Sequence, residues 1–314
     1  MENIKGNKIL ITGGAGFIGS NLVNSLIENN KIVVVDDLSM GKLENLPISE
    51  NLTFFKHSIS DYLFMENLLV TRKFDYVFLL AAVASVADTI ARPLETHEVN
   101  QEANVKIIEI IRKNNLKVKR LLFTSSAAVY GDNPELPKKE DSPIDPLTPY
   151  AIDKFATEKF ILDYGKLYDI PTVATRFFNV YGPNQNPSSP YSGVLSLIAR
   201  AAKNNERFTV FGDGEQTRDY IYVTDVINAL KVVVTSQNSI HNVYNIATGT
   251  PISLNNIIKL FEKISRQKLL VNYSEKRLGD IKHSYANVSK LGLLGYTPEY
   301  TVLTGLKKYW ESLT

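Results

Sequence analysis

Tyr150 and Lys154 stand four positions apart, and Thr12-Gly13-Gly14-Ala15-Gly16-Phe17-Ile18-Gly19 forms a glycine-rich run near the start of the same chain. A tyrosine takes a proton from an alcohol only as a phenolate, and its ordinary pKa is ~10. Working near neutral pH requires lowering that value by roughly three pH units, worth about 4 kcal/mol. An ammonium one helical turn away supplies part of that field, and a cationic nicotinamide ring would supply more. Tyr/Lys pairs at this spacing are common by chance on protein surfaces. This one gains meaning from the glycine run and from Thr124-Ser125-Ser126, which ends an apolar stretch. Serines at the carboxyl edge of a parallel strand lie where ligands bind in such sheets. For one of Ser125 and Ser126 the plainer role is a cap or turn hydrogen bond. Together these residues point to a tyrosine acid/base set beside a bound dinucleotide.

The elements that must position these groups follow from the hydrophobic pattern. Strands are predicted over 8–12, 31–35, 53–55, 76–80, 120–125 and 172–177, and helices over 17–28, 62–71, 94–114 and 150–168. Alternation of this kind implies a parallel sheet covered on both faces. The glycine run follows a strand and opens a helix, the context that raises such a motif above chance. There Gly13 permits the tight turn, Gly16 lets backbone approach a pyrophosphate, and Gly19 lets helix and strand pack closely. The diphosphate would sit among free N–H groups at the positive end of the helix dipole. Asp36 ends the second strand, 20 residues after Gly16. A carboxylate there accepts hydrogen bonds from both ribose hydroxyls and repels a 2′-phosphate, which favours NAD over NADP. Asp36 and Asp37 also read simply as a solvated strand end, less well given the spacing. Gly41-Lys42 would supplement the binding.

The stretch 130–149 contains Pro134, Pro137, Pro143, Pro146 and Pro149 and is neither helix nor strand. A connection that long is usually functional or mobile, and it ends where it would shape a substrate pocket. Residues 184–193 are rich in Pro and Ser. Helices are expected at 194–204, 225–235, 255–265 and 302–313, in a smaller second domain, with 243–246 returning to the first sheet.

Composition narrows the function classes. The chain has 314 residues, a formal net charge of +2 and no cysteine. Near-balanced charge gives no reason to expect nucleic acid or an anionic membrane as partner. Absence of cysteine excludes disulfides, thiolate nucleophiles and cysteine metal sites. His57, His97, His241 and His283 show no ligand spacing and read as surface or structural residues, so no metal is expected. The first residues enter a strand almost at once, leaving no room for a signal peptide, and the longest apolar stretch, 76–87, is too short to span a bilayer. A soluble cytoplasmic protein is expected.

The chain resembles the extended short-chain dehydrogenases/reductases, and within them the nucleotide-sugar 4-epimerases of the UDP-glucose and UDP-N-acetylglucosamine types. The likeness runs over nearly the full length. It is carried by 12–19, Asp36-Asp37-Leu38-Ser39, Asn100, Ser125-Ser126-Ala127-Ala128-Val129-Tyr130-Gly131, 150–154, Arg176-Phe177-Phe178-Asn179-Val180-Tyr181-Gly182-Pro183, Arg218-Asp219-Tyr220-Ile221 and Arg277-Leu278-Gly279-Asp280. The resemblance implies an α/β fold: a Rossmann-type doubly wound parallel sheet over 1–177, joined by segments near 220–247, and a smaller C-terminal α/β domain over 178–314 that holds a UDP-sugar. It implies NAD as cofactor, a homodimer formed through a four-helix bundle, and Ser126, Tyr150 and Lys154 as the catalytic set. Further cofactor contacts fall on Phe17, Ile18, Ser39, Ser58, Ile59, Ala81, Ala82, Asn100, Ser125 and Phe177. Substrate contacts fall on Ala84, Val194 and Leu195. Asn179, Arg218 and Arg277 match diphosphate ligands, Asp280 a ribose contact, and Thr209 and Phe211 the uracil-binding strand. Seen alone, each arginine is more often a solvated charge.

Some positions depart from the family pattern. Ser58 replaces an Asp that contacts the adenine amino group, and Leu79 replaces a frequent histidine. Ser284 stands where a bulky tyrosine restricts the pocket to plain hexoses, so an N-acetyl group is expected to fit. Nucleotide-sugar 4,6-dehydratases carry an Asp-Glu pair where this chain has Ala127-Ala128, and UDP-glucuronate decarboxylases usually carry a carboxylate at the Ala128 position. Their absence argues against both activities. A non-catalytic NAD-sensing regulator on the same fold would tend to lose the tyrosine or lysine, and both are present.

Overall fold

The structure, a computed structural model, describes residues 4–185, 193–276 and 281–313. Its strands in chain order are β1 (Lys8–Thr12), β2 (Lys31–Val35), β3 (Leu52–Phe55), β4 (Tyr76–Leu79), β5 (Arg120–Ser126), β6 (Thr172–Phe177), β7 (Asn179–Tyr181), β8 (Arg207–Phe211), β9 (Thr217–Tyr222), β10 (Asn242–Ile246), β11 (Pro251–Ser253), β12 (Leu270–Ser274) and β13 (His283–Ser284). The first six coincide with the predicted strands to within a residue at either end. With β10 they make one seven-stranded sheet in the order β10-β6-β5-β4-β1-β2-β3, all neighbours parallel. This is the doubly wound, Rossmann-type arrangement.

The strands are apolar on consecutive residues because both faces are covered. Alternate side chains divide between two cores. Ile9, Ile11, Val34, Phe78 and Leu122 pack on one face with the helices Phe17–Leu26 and Val223–Thr235. Leu10, Val33, Val35, Val77, Leu79, Leu121 and Phe123 pack on the other, against Tyr62–Arg72, Ala103–Lys113 and Pro149–Tyr168. The chain leaves β1 toward β2 and β3 on one side, then returns to place β4, β5 and β6 on the other. The carboxyl ends of β1 and β4 therefore flank the point where strand order reverses, the place such sheets leave open for a ligand.

Two expectations need correction. The helix predicted over 94–114 is interrupted: Pro93–His97 passes into a π-helical stretch, Glu98–Glu102, before Ala103–Lys113. Asn100 sits in that stretch, and wide turns of this kind occur mostly where function demands a particular side-chain direction. The proline-rich connection is pinned rather than loose. Lys138 N–H donates to the Tyr285 carbonyl at 2.9 Å and its own carbonyl accepts from Asn287 N–H at 2.8 Å. None of 131–149 lines the cleft described below.

The C-terminal elements build a second core, with the helices Val194–Asn204, Leu254–Ser265 and Val302–Leu313 around Phe208, Val210, Tyr220 and Tyr222. Asp219, fully buried, ties it together by accepting hydrogen bonds from the N–H groups of Thr248, Gly249 and Ala286 and the Thr248 hydroxyl. Among the described residues no helix is long and apolar enough to cross a membrane.

Candidate active site

A cleft of about 510 Å³ runs along the carboxyl edge of the seven-stranded sheet. One end is made of backbone. β1 ends at Thr12, and Gly13 turns with φ +69°, so close to β4 that a Cβ would lie 2.7 Å from Ala81 N. At Gly19 a Cβ would lie 2.1 Å from the Gly13 carbonyl oxygen, which is the close helix-to-turn packing expected there. Gly16 caps the helix Phe17–Leu26 without a side-chain hydrogen bond, and no acidic residue stands in its first turn. Gly16, Phe17 and Ile18 line the cleft, so unsatisfied N–H groups and the positive dipole end lie beside it.

Asp36, at the end of β2, is buried. Its Oδ2 accepts from Ala15 N–H at 3.0 Å and Oδ1 from Leu38 N–H at 2.8 Å. Desolvation raises its carboxyl above the ordinary value, and those N–H groups oppose the rise. A carboxylate has room for about four acceptor contacts, so roughly two remain for a ligand. Asp37 is engaged by Ser39, whose hydroxyl donates to it at 2.6 Å. Gly41 packs on Ala15 and Asp36, while Lys42 is exposed and pairs with Glu44 at 3.3 Å, outside the cleft lining. Farther along, Ser58 shares a 2.8 Å hydroxyl contact with Ser60, next to the buried Ile59.

The other end is made of side chains. Thr148 caps the helix Pro149–Tyr168 by accepting from Ala151 N–H, with Pro149 in the first turn. This puts Tyr150 at the helix start, partly exposed to the cleft, and Lys154 one turn deeper, 2% exposed. Lys154 Nζ donates to the Thr124 carbonyl at 2.8 Å and lies 5.9 Å from the centre of the Tyr150 ring. Burial pushes the lysine down to about 8. Burial also pushes the Tyr150 phenol up, and a hydrogen bond with Ser126 opposes that rise. Ser126, at the end of β5, accepts from Ala128 N–H at 3.1 Å. The capping serine is thus Ser126, while the Ser125 hydroxyl is buried in the cleft wall with no partner. Ala81, Ala82 and Ala84 beyond the end of β4, Phe177 at the end of β6 and Asn179 at the start of β7 add to the lining. Asn100 stands behind them, holding Val83 by both its N–H (2.8 Å) and its carbonyl (3.2 Å).

An uncapped helix N-terminus, an orphaned buried hydroxyl and a cradle that admits no Cβ are features a dinucleotide would satisfy.

Among the described residues, the remaining predicted substrate residues do not line this cleft. Val194 and Leu195 open a helix, with Leu195 buried in the second core. Thr209 and Phe211 lie on β8, which pairs with β12. Arg218 and Ser284 are neighbours across β9 and β13, and Arg218 donates to the Thr217 carbonyl at 2.8 Å. Arg277 and Asp280 fall outside the described residues. Sequence reasoning also missed contributors. His57, Phe178, Asn184 and Gln185 line the cleft. Thr124 contributes through its carbonyl, which no side-chain pattern reveals. A buried Glu158–Arg176 pair, 2.6 Å apart, fastens the Tyr150 helix to β6. Its signal was a lone charge inside an apolar strand.

Comparison with known proteins agrees with this geometry. A family model described as the NAD dependent epimerase/dehydratase family matches residues 9–247. A UDP-glucose 4-epimerase of Mycolicibacterium smegmatis is 33% identical over 309 residues, covering 97% of each chain. The solved structure of a UDP-N-acetylglucosamine 4-epimerase from Methanobrevibacter ruminantium, in complex with UDP-N-acetylmuramic acid, superposes with a TM-score of 0.93 at 37% identity, covering 99% of each chain. A human dTDP-D-glucose 4,6-dehydratase is 30% identical over 319 residues, covering 97% of this chain and 89% of its own.

Proposed function

The chain belongs to the NAD dependent epimerase/dehydratase family, and from that premise we propose that it inverts C4 of a UDP-hexose. The observation that carries this reading is the meeting of Ser126, Tyr150 and Lys154 on a cleft that also contains the glycine turn. The glycine turn and Asp36 would hold NAD, which when bound would supply reversible hydride chemistry at C4. Tyr150, as phenolate, removes the proton of the C4 hydroxyl while the C4–H bond breaks, leaving a carbonyl at C4. Ser126 hydrogen-bonds O4 and relays the proton. Lys154 holds the nicotinamide ribose and stabilises the phenolate. After the 4-keto sugar rotates, Tyr150 gives its proton back to O4, so neither the protein nor the cofactor is consumed. Gly13, Gly16 and Gly19 position the pyrophosphate, Asp36 the adenosine ribose. Residues 1–177 with segments near 220–247 form the NAD-binding unit, and 178–314 grip the UDP-sugar.

UDP-glucose and UDP-galactose are the proposed pair. The small Ser284, at the position where a bulky tyrosine restricts the pocket to plain hexoses, supports their N-acetylamino counterparts as substrates as well. A dehydratase reading has support in the relatives of that name. Elimination needs an acid beside the reacting centre, and among the described residues lining the cleft the acidic ones are Asp36 and Asp37, at the glycine end. Dimerisation is proposed through a four-helix bundle to which each protomer gives the helical stretch over 94–114 and the helix Pro149–Tyr168; Ile152, Phe160 and Leu167 are exposed for it, whereas Ile107, Ile108, Ile111 and Ile161 are core residues. Light scattering at micromolar concentration tests it, and a monomer counts against it.

The deciding experiment is incubation with UDP-glucose, UDP-galactose, UDP-N-acetylglucosamine and UDP-N-acetylgalactosamine, without added NAD, and chromatography of the products. Interconversion within each pair is expected. A 4-keto-6-deoxy product would overturn the epimerase reading, and turnover of the plain hexoses alone would remove the role given to Ser284.

A further inference from the structure

Arg176, on β6, is a buried cation whose guanidinium faces two ways. Toward the Tyr150 helix it donates twice to Glu158, from Nε at 2.9 Å and from Nη2 at 2.6 Å. Toward the strand ends, Nη1 donates to the Tyr130 hydroxyl at 2.8 Å and to the Glu140 carbonyl at 3.0 Å. The Tyr130 hydroxyl in turn donates to Asn245 Oδ1 at 2.7 Å, on β10. Asn245 anchors the far side on the proline-rich connection. Its Nδ2 donates to the Lys138 carbonyl and its backbone N–H to the Glu140 carboxylate, each at 2.9 Å. A buried charge pair is no stability argument by itself, since packed apolar residues of similar volume often do as well. The elements it joins are more informative. Glu158 stands one turn beyond Lys154 and two beyond Tyr150 on the same helix. Tyr130 ends the short 3₁₀ turn Ala127–Tyr130, which Ser126 caps. One guanidinium therefore bridges the element carrying Tyr150 and Lys154 and the element carrying Ser126.

We propose that Arg176 is a positioning residue for the catalytic set: held by Glu158, it fixes Tyr130, and through Tyr130 the turn that sets the Ser126 hydroxyl against Tyr150. This role rests on the catalytic reading above and adds residues that reading does not use. Among the described residues, Arg176 and Tyr130 lie outside the cleft lining, so both act through the groups they hold. Burial pushes the Tyr130 phenol up to about 12, which leaves it a neutral link, accepting from Arg176 and donating to Asn245. Lys154 has its own bond to β5, at the Thr124 carbonyl, and does not depend on the turn. The Ser126 hydroxyl does. Its bond with Tyr150 opposes the rise that burial imposes on that phenol. A turn that drifts from the helix therefore weakens the bond and moves Tyr150 to higher pH.

The test is Tyr130→Phe, which keeps the ring and deletes the oxygen that Arg176 and Asn245 share. Turnover of UDP-sugars is measured as kcat and KM, alongside the melting temperature. The Tyr150 titration is followed by NMR on protein carrying ring-labelled tyrosine, with the resonance assigned by its absence in Tyr150→Phe. In Tyr130→Phe kcat is expected to fall about ten-fold while KM stays within about two-fold. The Tyr150 midpoint rises by about half a pH unit, about three-fold less phenolate at a given pH. Arg176→Lys keeps the charge but has no fork to serve Glu158 and Tyr130 together, and shifts both readouts the same way. Removing Arg176 alone strands the Glu158 charge and endangers folding. The paired change Glu158→Gln with Arg176→Met carries the same expectation without that charge. A lower melting temperature in Tyr130→Phe with parental kcat and an unmoved Tyr150 midpoint overturns the proposal, and the network is then a structural staple. Absence of turnover by the parent on every UDP-sugar would sink the proposed function instead, and the Tyr150 midpoint would still decide the role of Arg176.

Discussion

The two ends of the cleft are built on opposite principles. At the glycine end the working surface is backbone: Gly13, Gly16 and Gly19 contribute no side-chain atoms, and the space they leave is what matters. At the tyrosine end the working surface is side chain: Ser126, Tyr150 and Lys154 present polar atoms, and the lysine is displaced by burial to about 8. One end leaves no room for a Cβ at Gly13 or Gly19. The other holds ionisable groups away from their ordinary values, and removal of a single atom there is expected to abolish activity.

That contrast can be broken by experiment. The largest effect is expected for Tyr150→Phe, which deletes one oxygen and leaves the packing intact: activity falls about 10³-fold while the melting temperature stays within a degree or so. A comparable loss of stability would show that the tyrosine is structural. Gly19→Ala should do the reverse. Its Cβ would lie 2.1 Å from the Gly13 carbonyl oxygen and 2.7 Å from Gly14 Cα, so backbone must shift. A cost of about 1–3 kcal/mol is expected in denaturant unfolding, together with loss of NAD binding by calorimetry. Unaltered unfolding would mean the turn is looser than its geometry. Gly16→Ala is milder, since its Cβ would meet only the Gly13 carbonyl oxygen, at 3.3 Å. Stability should change by less than about 1 kcal/mol, while NAD affinity weakens about ten-fold as a methyl enters the cradle.

The smallest effect is in pH. Lys154 is depressed in the fold, so it loses its proton as pH rises through about 8. Activity should halve near that point and recover on return to neutral pH. The folded state gains from the same change: between about 8 and the ordinary lysine value the unfolded chain binds the extra proton, so stability attributable to this group rises with pH. Melting curves of the parent and Lys154→Met across that range check the sign.

Much of this site was legible because its signals are local. The glycine run, Asp36 after β2, and the Tyr150–Lys154 spacing each sit within a single strand, turn or helix, and consecutive apolar residues mark doubly covered strands. β7, β11 and β13 were missed because they are two or three residues long and exist only through pairing with β9. The π-helical stretch was missed because Asn100 looks helical in sequence, and only its grip on Val83 makes the wider turn worthwhile. The bond between Arg176 and Tyr130 carried no pattern at all, its partners being 46 residues apart.

By itself the sequence determined which residues have the chemistry: a phenol and an ammonium one turn apart, hydroxyls at a strand end, glycines where a Cβ cannot fit, and no acid after Ser126. Periodicity also determined that the first half folds as a parallel sheet, because a strand buried on both faces must be apolar throughout. Tertiary structure decided what those groups experience. It buried Lys154 against a carbonyl, left Ser125 without a partner, assigned the capping bond to Ser126, and brought Arg176 to Tyr130. Desolvation and partner choice depend on atoms supplied by distant strands and helices. The spacing along the chain therefore names the acid/base groups, and only the packed fold sets their charge.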